Sequence, residues 1–288
     1  MTASNSGLIL GGQGRFGRAA ARAFDALRAS LRPTRQAEDP GAWLLRLACL
    51  LTGTALLTVM ALALDERRLG LDSVWLKPLE FQLALAVQSA TLAWGPRRLA
   101  PLYAAAALPR PLAWLWIAVV SYEAAYITLQ GARGTTSHFN RGTAWEGVAG
   151  TLMATGAGVL VTVTLWIGLV ALWQSWRERA RSPMVLAIGL GFVLGAVLAA
   201  WTGSAIGALR GYWPQPLVEP LLRLPVTGWV LSQPDLRIAH FIGLHQMQLL
   251  PAVKAFAAAR RWPRSVAVAA LAVTSLGATA LCWHLVQS

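Results

Sequence analysis

Charged residues are scarce in this sequence, and acidic residues are the scarcest. Only 13% of the 288 residues are charged, with twelve acidic against twenty-five basic side chains, while 56% are hydrophobic. The mean hydropathy is +0.52. A water-soluble globule of this size needs more polar surface than these residues supply. The composition therefore excludes a soluble enzyme and indicates a membrane protein.

Cysteine is nearly absent as well. Cys49 and Cys282 fall in the first and last apolar segments and belong to no C-x-x-C or C-x-x-C-H pattern. This excludes zinc-ribbon, thioredoxin-like and c-type haem motifs, and we expect no disulfide because the two residues lie toward opposite leaflets. The first 40 residues lack a continuous apolar stretch and carry six arginines. We therefore expect no secretory signal peptide.

The basic excess gives a net charge of +13. In a soluble protein this charge would suggest nucleic acid as the partner. Here most arginines lie between apolar segments, where positive residues set the topology and bind lipid headgroups. The partners that we expect are membrane lipids, and not nucleic acid.

Apolar segments of about 20 residues recur along the chain, each long enough to cross a hydrocarbon core of roughly 30 Å. They predict an all-α polytopic transmembrane helix bundle of about seven spans, with residues 1–41 as a cytoplasmic Arg-rich tail and 42–288 as the bundle. Fifteen Lys and Arg residues lie in the tail and inner loops against eight in the outer loops. This asymmetry places the amino terminus inside and the carboxyl terminus outside. The predicted spans are 42–64, 76–94, 111–130, 146–173, 184–207, 238–259 and 265–286.

A glycine motif in the tail resembles the opening of a dinucleotide-binding domain. Gly12, Gly14 and Gly17 complete G-x-G-x-x-G between a short apolar run and a helical pattern. Such a turn binds phosphate only when its strand belongs to a parallel sheet, and the chain enters the membrane near residue 42 without further strands. We therefore expect no NAD(P) or FAD cofactor.

Ionisable residues inside the predicted spans are the main functional clue, because charge in a bilayer is costly. Glu123 lies about seven residues before the outer end of the third span, and His245 about seven residues after the outer start of the sixth. At 1.5 Å per residue both lie roughly 10 Å below the outer boundary. They are therefore our candidates for a catalytic acid and base pair.

Other polar groups gather at the same boundary and predict an outward-facing pocket. Lys77, Arg133 and Asn140 are candidate ligand-binding residues, with the two cations suited to an anion such as a lipid phosphate.

Histidines supply a second kind of candidate at this boundary. His138, His240 and His245 are candidate ligands of a metal ion or haem. The spacing does not identify a metal, because His240 and His245 are five residues apart, roughly 140° around a helix.

Three classes of function remain open from the residues alone. The first is a site that binds a small ligand or metal from the periplasm or outer leaflet, so whether the protein is an enzyme stays open. The second is a proton-coupled transporter in which Glu123 and His245 relay protons, although the inner halves of their spans offer little beyond Lys254. The third is a structural or assembly subunit, whose polar residues form a hydrogen-bonded network joining spans two, three and six.

Three stretches together resemble a family of uncharacterised bacterial multi-pass membrane proteins. They are W-x-K-P-x-x-F at Trp75 to Phe81, E-x6-Q-x-ARGTTSHFN at Glu123 to Asn140, and HF-x-GLH-x-x-Q at His240 to Gln248. The resemblance covers roughly residues 42–260, and it implies a helical bundle in the bacterial inner membrane. It emphasises the same polar residues but implies no particular activity. In the related pattern, the position of Glu80 is often basic.

Overall fold

The computed structural model describes residues 39–179, 182–208, 222–224, 227–232 and 235–287. Within these ranges the chain forms nine α-helices, one short 3-10 turn and one two-stranded hairpin. The tail up to residue 38, with Gly12, Gly14 and Gly17, lies outside the described residues. The expectations about the tail and its glycine motif therefore stay predictions.

The helices follow one another with short connections on most of the chain. Between α1 and α2 the antiparallel strands β1 (Arg68–Leu69) and β2 (Asp72–Ser73) form a small hairpin. The helices are α1 (Pro40–Leu64), α2 (Leu76–Trp94), α3 (Pro101–Ala107), α4 (Arg110–Ala132), α5 (Ala144–Arg177), α6 (Pro183–Ala208), α7 (Leu236–Leu244), α8 (Gln246–Ala259) and α9 (Arg264–Gln287).

Five of these helices, α1, α4, α5, α6 and α9, are long and apolar enough to cross a membrane. They confirm an integral, multi-pass helical protein and coincide with five of the seven predicted spans. Helix α5 has 34 residues, so it is about 51 Å long and exceeds the hydrocarbon thickness. Helix α2 coincides with another predicted span but is less apolar, since Lys77, Glu80, Gln82 and Gln88 lie within it.

The predicted span at 238–259 is interrupted at His245, which separates α7 from α8. Two features of the sequence lie at or near this interruption. Pro251 lacks an N–H group and its ring opposes the carbonyl of the residue four positions earlier. The Gln246 side chain also donates a hydrogen bond to the carbonyl of Ile242 at 2.9 Å, where the helical ladder is broken.

Side-chain contacts define one end of the bundle, which we call the hairpin end because it carries β1 and β2. The indole of Trp75 donates to Asp65 at 2.7 Å, and Arg67 donates to the carbonyl of Ala132 at the end of α4. Hydrogen bonds from Arg67 and Trp75 hold the pKa of Asp65 well below its usual range. These contacts fasten the hairpin across the ends of α1, α2 and α4.

A second set of contacts defines the opposite end. Arg97, after α2, pairs with Asp39 at the start of α1 at 2.5 Å. The rings of Trp43 in α1 and Trp114 in α4 lie 4.4 Å apart. The starts of α1 and α4 therefore meet the end of α2. Helix α2 thus runs antiparallel to both α1 and α4.

Glycines allow the closest helix crossings. A Cβ atom added at Gly168 in α5 would lie 2.7 Å from the backbone nitrogen of Val193 in α6, and one at Gly191 in α6 would lie 2.7 Å from the carbonyl of Gln246. Small residues at crossings let backbones approach closely in membrane proteins. Helix α6 thereby packs against α5 on one side and against the kink between α7 and α8 on the other.

Candidate functional site

A group of charged and aromatic side chains surrounds the first turns of α2 at the hairpin end. We call it the Lys77 cluster, and it comprises Lys77, Glu80, Phe81, His138 and Arg237. The ammonium group of Lys77 lies 5.7 Å from the centre of the Phe81 ring, and the His138 ring lies 5.2 Å from the same ring. Lys77 and Glu80 interact electrostatically with each other and with Arg237.

Lys77 and Glu80 are the two charges of the cluster that lack a close partner. Among the described residues, no carboxylate lies within 4.0 Å of the Lys77 ammonium group. The buried Oε1 atom of Glu80 has no hydrogen-bond partner. Since buried polar atoms are nearly always hydrogen-bonded, the Oε1 atom of Glu80 leaves an acceptor unused, and the nearby Lys77 ammonium group leaves a cation without a close carboxylate.

The neighbouring charges of this region are matched in pairs. Arg223 pairs with Asp72 of β2, and Arg237 pairs with Asp235 at 2.6 Å. The backbone at Val230 also donates to Asp235, which is the N-cap of α7. These contacts fix the described part of the α6–α7 connection beside the Lys77 cluster, and they give Arg223 and Arg237 carboxylate partners other than Glu80.

His138 belongs to the loop between α4 and α5. Its Nδ1 atom lies 2.9 Å from the hydroxyl of Ser137. The next residue, Phe139, has a positive φ of 61°, a conformation that is costly for a non-glycine residue. Burial lowers the pKa of His138 well below its usual value, and the positive charge of Lys77 lowers it further. The imidazole is therefore neutral at neutral pH.

This lowered pKa predicts a pH-dependent loosening of the loop at 134–143. A histidine whose folded-state pKa is lowered binds its proton more readily in the open state, so stability is lost as the pH falls below about 6.5. We expect hydrogen exchange in this loop, corrected for its intrinsic rate, to accelerate by at most about tenfold per pH unit below that value. His138→Phe should remove this dependence. The same acceleration in the variant would contradict the assignment.

Arg133 and Asn140 serve the same loop rather than the Lys77 cluster. Arg133 donates to Gln130 at 2.8 Å and to the buried carboxylate of Glu146 in α5 at 3.3 Å. Asn140 donates to the carbonyl of Thr136 and accepts from the backbone N–H of Gly142. These contacts join the ends of α4 and α5.

Glu123 is buried in the interface between α4 and α5. Only 4% of its surface is exposed, and its Oε1 atom has no hydrogen-bond partner. A Cβ atom added at Gly156 in α5 would lie 2.8 Å from that oxygen. The carboxyl group therefore faces the backbone of α5, and the absence of a side chain at position 156 makes room for it.

His240 and His245 lie at the kinked helix pair α7–α8. The Nδ1 atom of His240 lies 3.0 Å from the hydroxyl of Thr202 in α6. The His245 ring contacts the Phe241 ring in a tilted arrangement with a centroid distance of 4.1 Å, and its Nδ1 atom lies 3.2 Å from Oε1 of Gln248. The two histidines interact electrostatically.

The predicted site residues thus fall into separate groups. Lys77 and His138 come together, and so do His240 and His245. Glu123 faces another interface, and its Oε1 atom forms no hydrogen bond with His245. In the part of the chain that the structure describes, no three His, Cys, Asp or Glu side chains are grouped closely enough to hold a metal ion. In that part of the chain, His138, His240 and His245 are therefore not brought together as ligands of one metal ion.

Sequence reasoning missed the residues that complete these groups. Asp72 and Arg223 are 151 positions apart, so no local pattern connects them. Gln82 was also missed, although it accepts a hydrogen bond from Thr58 in α1 and donates one to Thr128 in α4. A buried glutamine within an apolar segment is the signal that could have found this network, because it needs several partners.

Comparison with known proteins adds one partial match. The chain is 33% identical over 86 residues to the vesicle transport protein GOT1 of Arabidopsis thaliana, a match that covers 27% of this chain and 59% of that protein. The chain thus spans about three fifths of the length of this relative. No family model matches the chain. No solved structure matches it either.

Proposed function

We propose that the protein crosses the membrane seven times, with the hairpin end outside and the amino terminus inside. Helix α2 and the kinked pair α7–α8 would be the two polar spans beside the five apolar ones. The excess of arginine in the tail and in the loops at the opposite end supports this orientation. We place the protein in the bacterial inner membrane on the strength of the family resemblance.

Cysteine labelling on intact cells tests this topology. In a Cys49→Ala, Cys282→Ala background, Glu66→Cys places a thiol beside the hairpin and Ser265→Cys places one at the opposite end, both at exposed positions. A membrane-impermeant maleimide should label position 66 on intact cells and position 265 only after permeabilisation. The reverse pattern would overturn the orientation, and labelling of both positions on intact cells would overturn the number of spans.

We further propose that the Lys77 cluster binds a small zwitterionic molecule that carries an anionic group and an N–H donor. The observation that supports this is the pair of unpartnered groups, the Lys77 ammonium and the Glu80 carboxylate. An ammonium group binds phosphate or carboxylate, and a carboxylate accepts from N–H groups, so a zwitterion satisfies both. Phosphoethanolamine has this chemistry, either as a free molecule or as a lipid headgroup.

Titration calorimetry on the purified protein tests this proposal. Phosphoethanolamine should bind, whereas inorganic phosphate and ethanolamine, which each satisfy only one of the two groups, should bind at least about tenfold more weakly. Equal binding of phosphate and phosphoethanolamine would remove Glu80 from the site. Absence of binding by all three compounds would overturn the proposed ligand class.

Transport is the second candidate function, and the kink at His245 favours it. Interrupted helices with polar residues at mid-membrane depth are typical of the substrate and ion sites of transporters. Under this function, proteoliposomes should accumulate phosphoethanolamine when the outside is acidic, and His245→Ala should abolish uptake without abolishing binding. The name of the plant relative concerns vesicle transport, and from that relative we extend only the membrane setting to this chain.

A further inference from the structure

A chain of hydrogen bonds joins α2 to His245 and fixes which nitrogen of the imidazole carries the proton. It begins at Thr91, whose hydroxyl donates to the carbonyl of Val87 at 2.7 Å. Because the single hydroxyl proton is used there, the oxygen of Thr91 accepts from its other neighbour, the Nε2 amide of Gln248, at 2.9 Å. This contact orients the amide of Gln248.

The orientation of Gln248 decides the tautomer of His245. With its NH2 group directed to Thr91, Gln248 presents its carbonyl oxygen to Nδ1 of His245 at 3.2 Å. A carbonyl oxygen only accepts, so Nδ1 must carry the proton. In the neutral ring, Nε2 then has a free lone pair, and this buried atom has no hydrogen-bond partner. The neighbouring groups thus prepare one acceptor inside the bundle.

We propose that Nε2 of His245 accepts a hydrogen bond from the hydroxyl group of an apolar molecule dissolved in the bilayer. A metal ion fits less well, since the described residues hold no cluster of three His, Cys, Asp or Glu side chains around it. A bound proton fits less well too, because no carboxylate of the described residues pairs with this imidazole. A neutral donor forms a hydrogen bond to the lone pair without the free-energy cost of burying a charge.

The surroundings of His245 favour an apolar molecule. Three apolar side chains near the hydrogen-bond chain are partly exposed: Phe241 by 45%, Val87 by 44% and Leu249 by 42%. Each lies next to a member of the hydrogen-bond chain or one helical turn from it. In a membrane these side chains face lipid. The Phe241 ring, which contacts His245 in a tilted arrangement, offers an aromatic surface to an aromatic ligand. This site is separate from the Lys77 cluster and does not depend on the zwitterion proposal.

Nitrogen-15 NMR of histidine-labelled protein in nanodiscs tests the proposal. The probes are 4-hexylphenol and dioctanoylglycerol, each with its O-methylated analogue as a matched compound that cannot donate. We expect a saturable shift of the Nε2 signal of His245 with at least one of the two hydroxyl probes and none with the analogues. The responding probe distinguishes an aromatic from an aliphatic source. No shift, or equal shifts with the methylated compounds, would overturn the proposal.

Three variants separate positioning from folding. His284→Gln, at an exposed site near the end of α9, should leave the shift unchanged, and His245→Gln should remove it. Gln248→Leu retains His245 but removes the acceptor from Nδ1, so the single tautomer should become a mixture and probe affinity should fall several-fold. An unchanged tautomer in a well-folded Gln248→Leu protein would contradict the positioning role of Gln248. The tautomer is a suitable readout because a purely structural role of Gln248 would not change it.

Discussion

Lys77→Gln is expected to weaken phosphoethanolamine binding by about 10- to 100-fold, the range typical of a lost charge-assisted hydrogen bond. Glutamine keeps much of the length of the side chain but removes the positive charge, which has no carboxylate within 4.0 Å among the described residues. Calorimetric titration of detergent-purified protein measures the change.

Lys254→Gln is the matched control for this substitution, because Lys77 and Lys254 are the two lysines of the chain. Lys254 lies in α8, within the half of the kinked span toward the opposite end. We expect its replacement to leave affinity unchanged. Equal losses in the two variants would show that the affinity reflects overall charge rather than the Lys77 cluster.

Gly168→Ala is expected to lower the free energy of unfolding by about 1–3 kcal/mol, and Gly168→Leu to prevent accumulation of folded protein. The added methyl group would lie 2.7 Å from the backbone nitrogen and 2.8 Å from Cγ2 of Val193. Backbone atoms cannot move aside as a flexible side chain can, so α5 and α6 must separate. Unfolding in mixed detergent, followed by circular dichroism, measures the loss.

Gly158→Ala provides the comparison on the same helix. No heavy atom lies within 4 Å of a Cβ atom added at Gly158, which is exposed. Alanine also favours the helix over glycine by up to about 1 kcal/mol in water. We therefore expect no loss of stability. A similar loss at both positions would attribute the effect to the helix itself and not to the contact between α5 and α6.

Much of the fold could be predicted from hydrophobicity alone, because spanning a bilayer needs long apolar helices. Helices α1, α4, α5, α6 and α9 meet that requirement and coincide with predicted spans. Small residues spaced four apart, such as Gly191 and Gly195, also suit the close crossing seen at Gly191. The interruption at His245 was not predicted, since it involves a hydrogen bond from the side chain of Gln246 to the backbone of Ile242.

The site was less predictable than the fold, because depth along a span gives no information about which helices are neighbours. Glu123 and His245 lie at similar predicted depths, yet Glu123 faces Gly156 while His245 contacts Gln248. The proximity of Lys77 and His138 was foreseen only as two residues at the same boundary. Their common contact with Phe81 depends on how the α4–α5 loop folds back over α2.

Lysine acylation with protection by ligand tests the central claim most directly, because Lys77 and Lys254 serve as site and internal control in one experiment. The protein is treated with an N-hydroxysuccinimide ester, with and without phosphoethanolamine, in phosphatidylethanolamine or phosphatidylglycerol nanodiscs, and both lysines are quantified by mass spectrometry. The amine of phosphoethanolamine consumes part of the reagent and slows acylation of both lysines, so the measured quantity is the ratio of acylated Lys77 to acylated Lys254. We predict that phosphoethanolamine lowers this ratio in phosphatidylglycerol. Protection already present in phosphatidylethanolamine would identify the headgroup as the source of the ligand. The same ratio of Lys77 to Lys254 acylation under all conditions would contradict a zwitterion site at the Lys77 cluster.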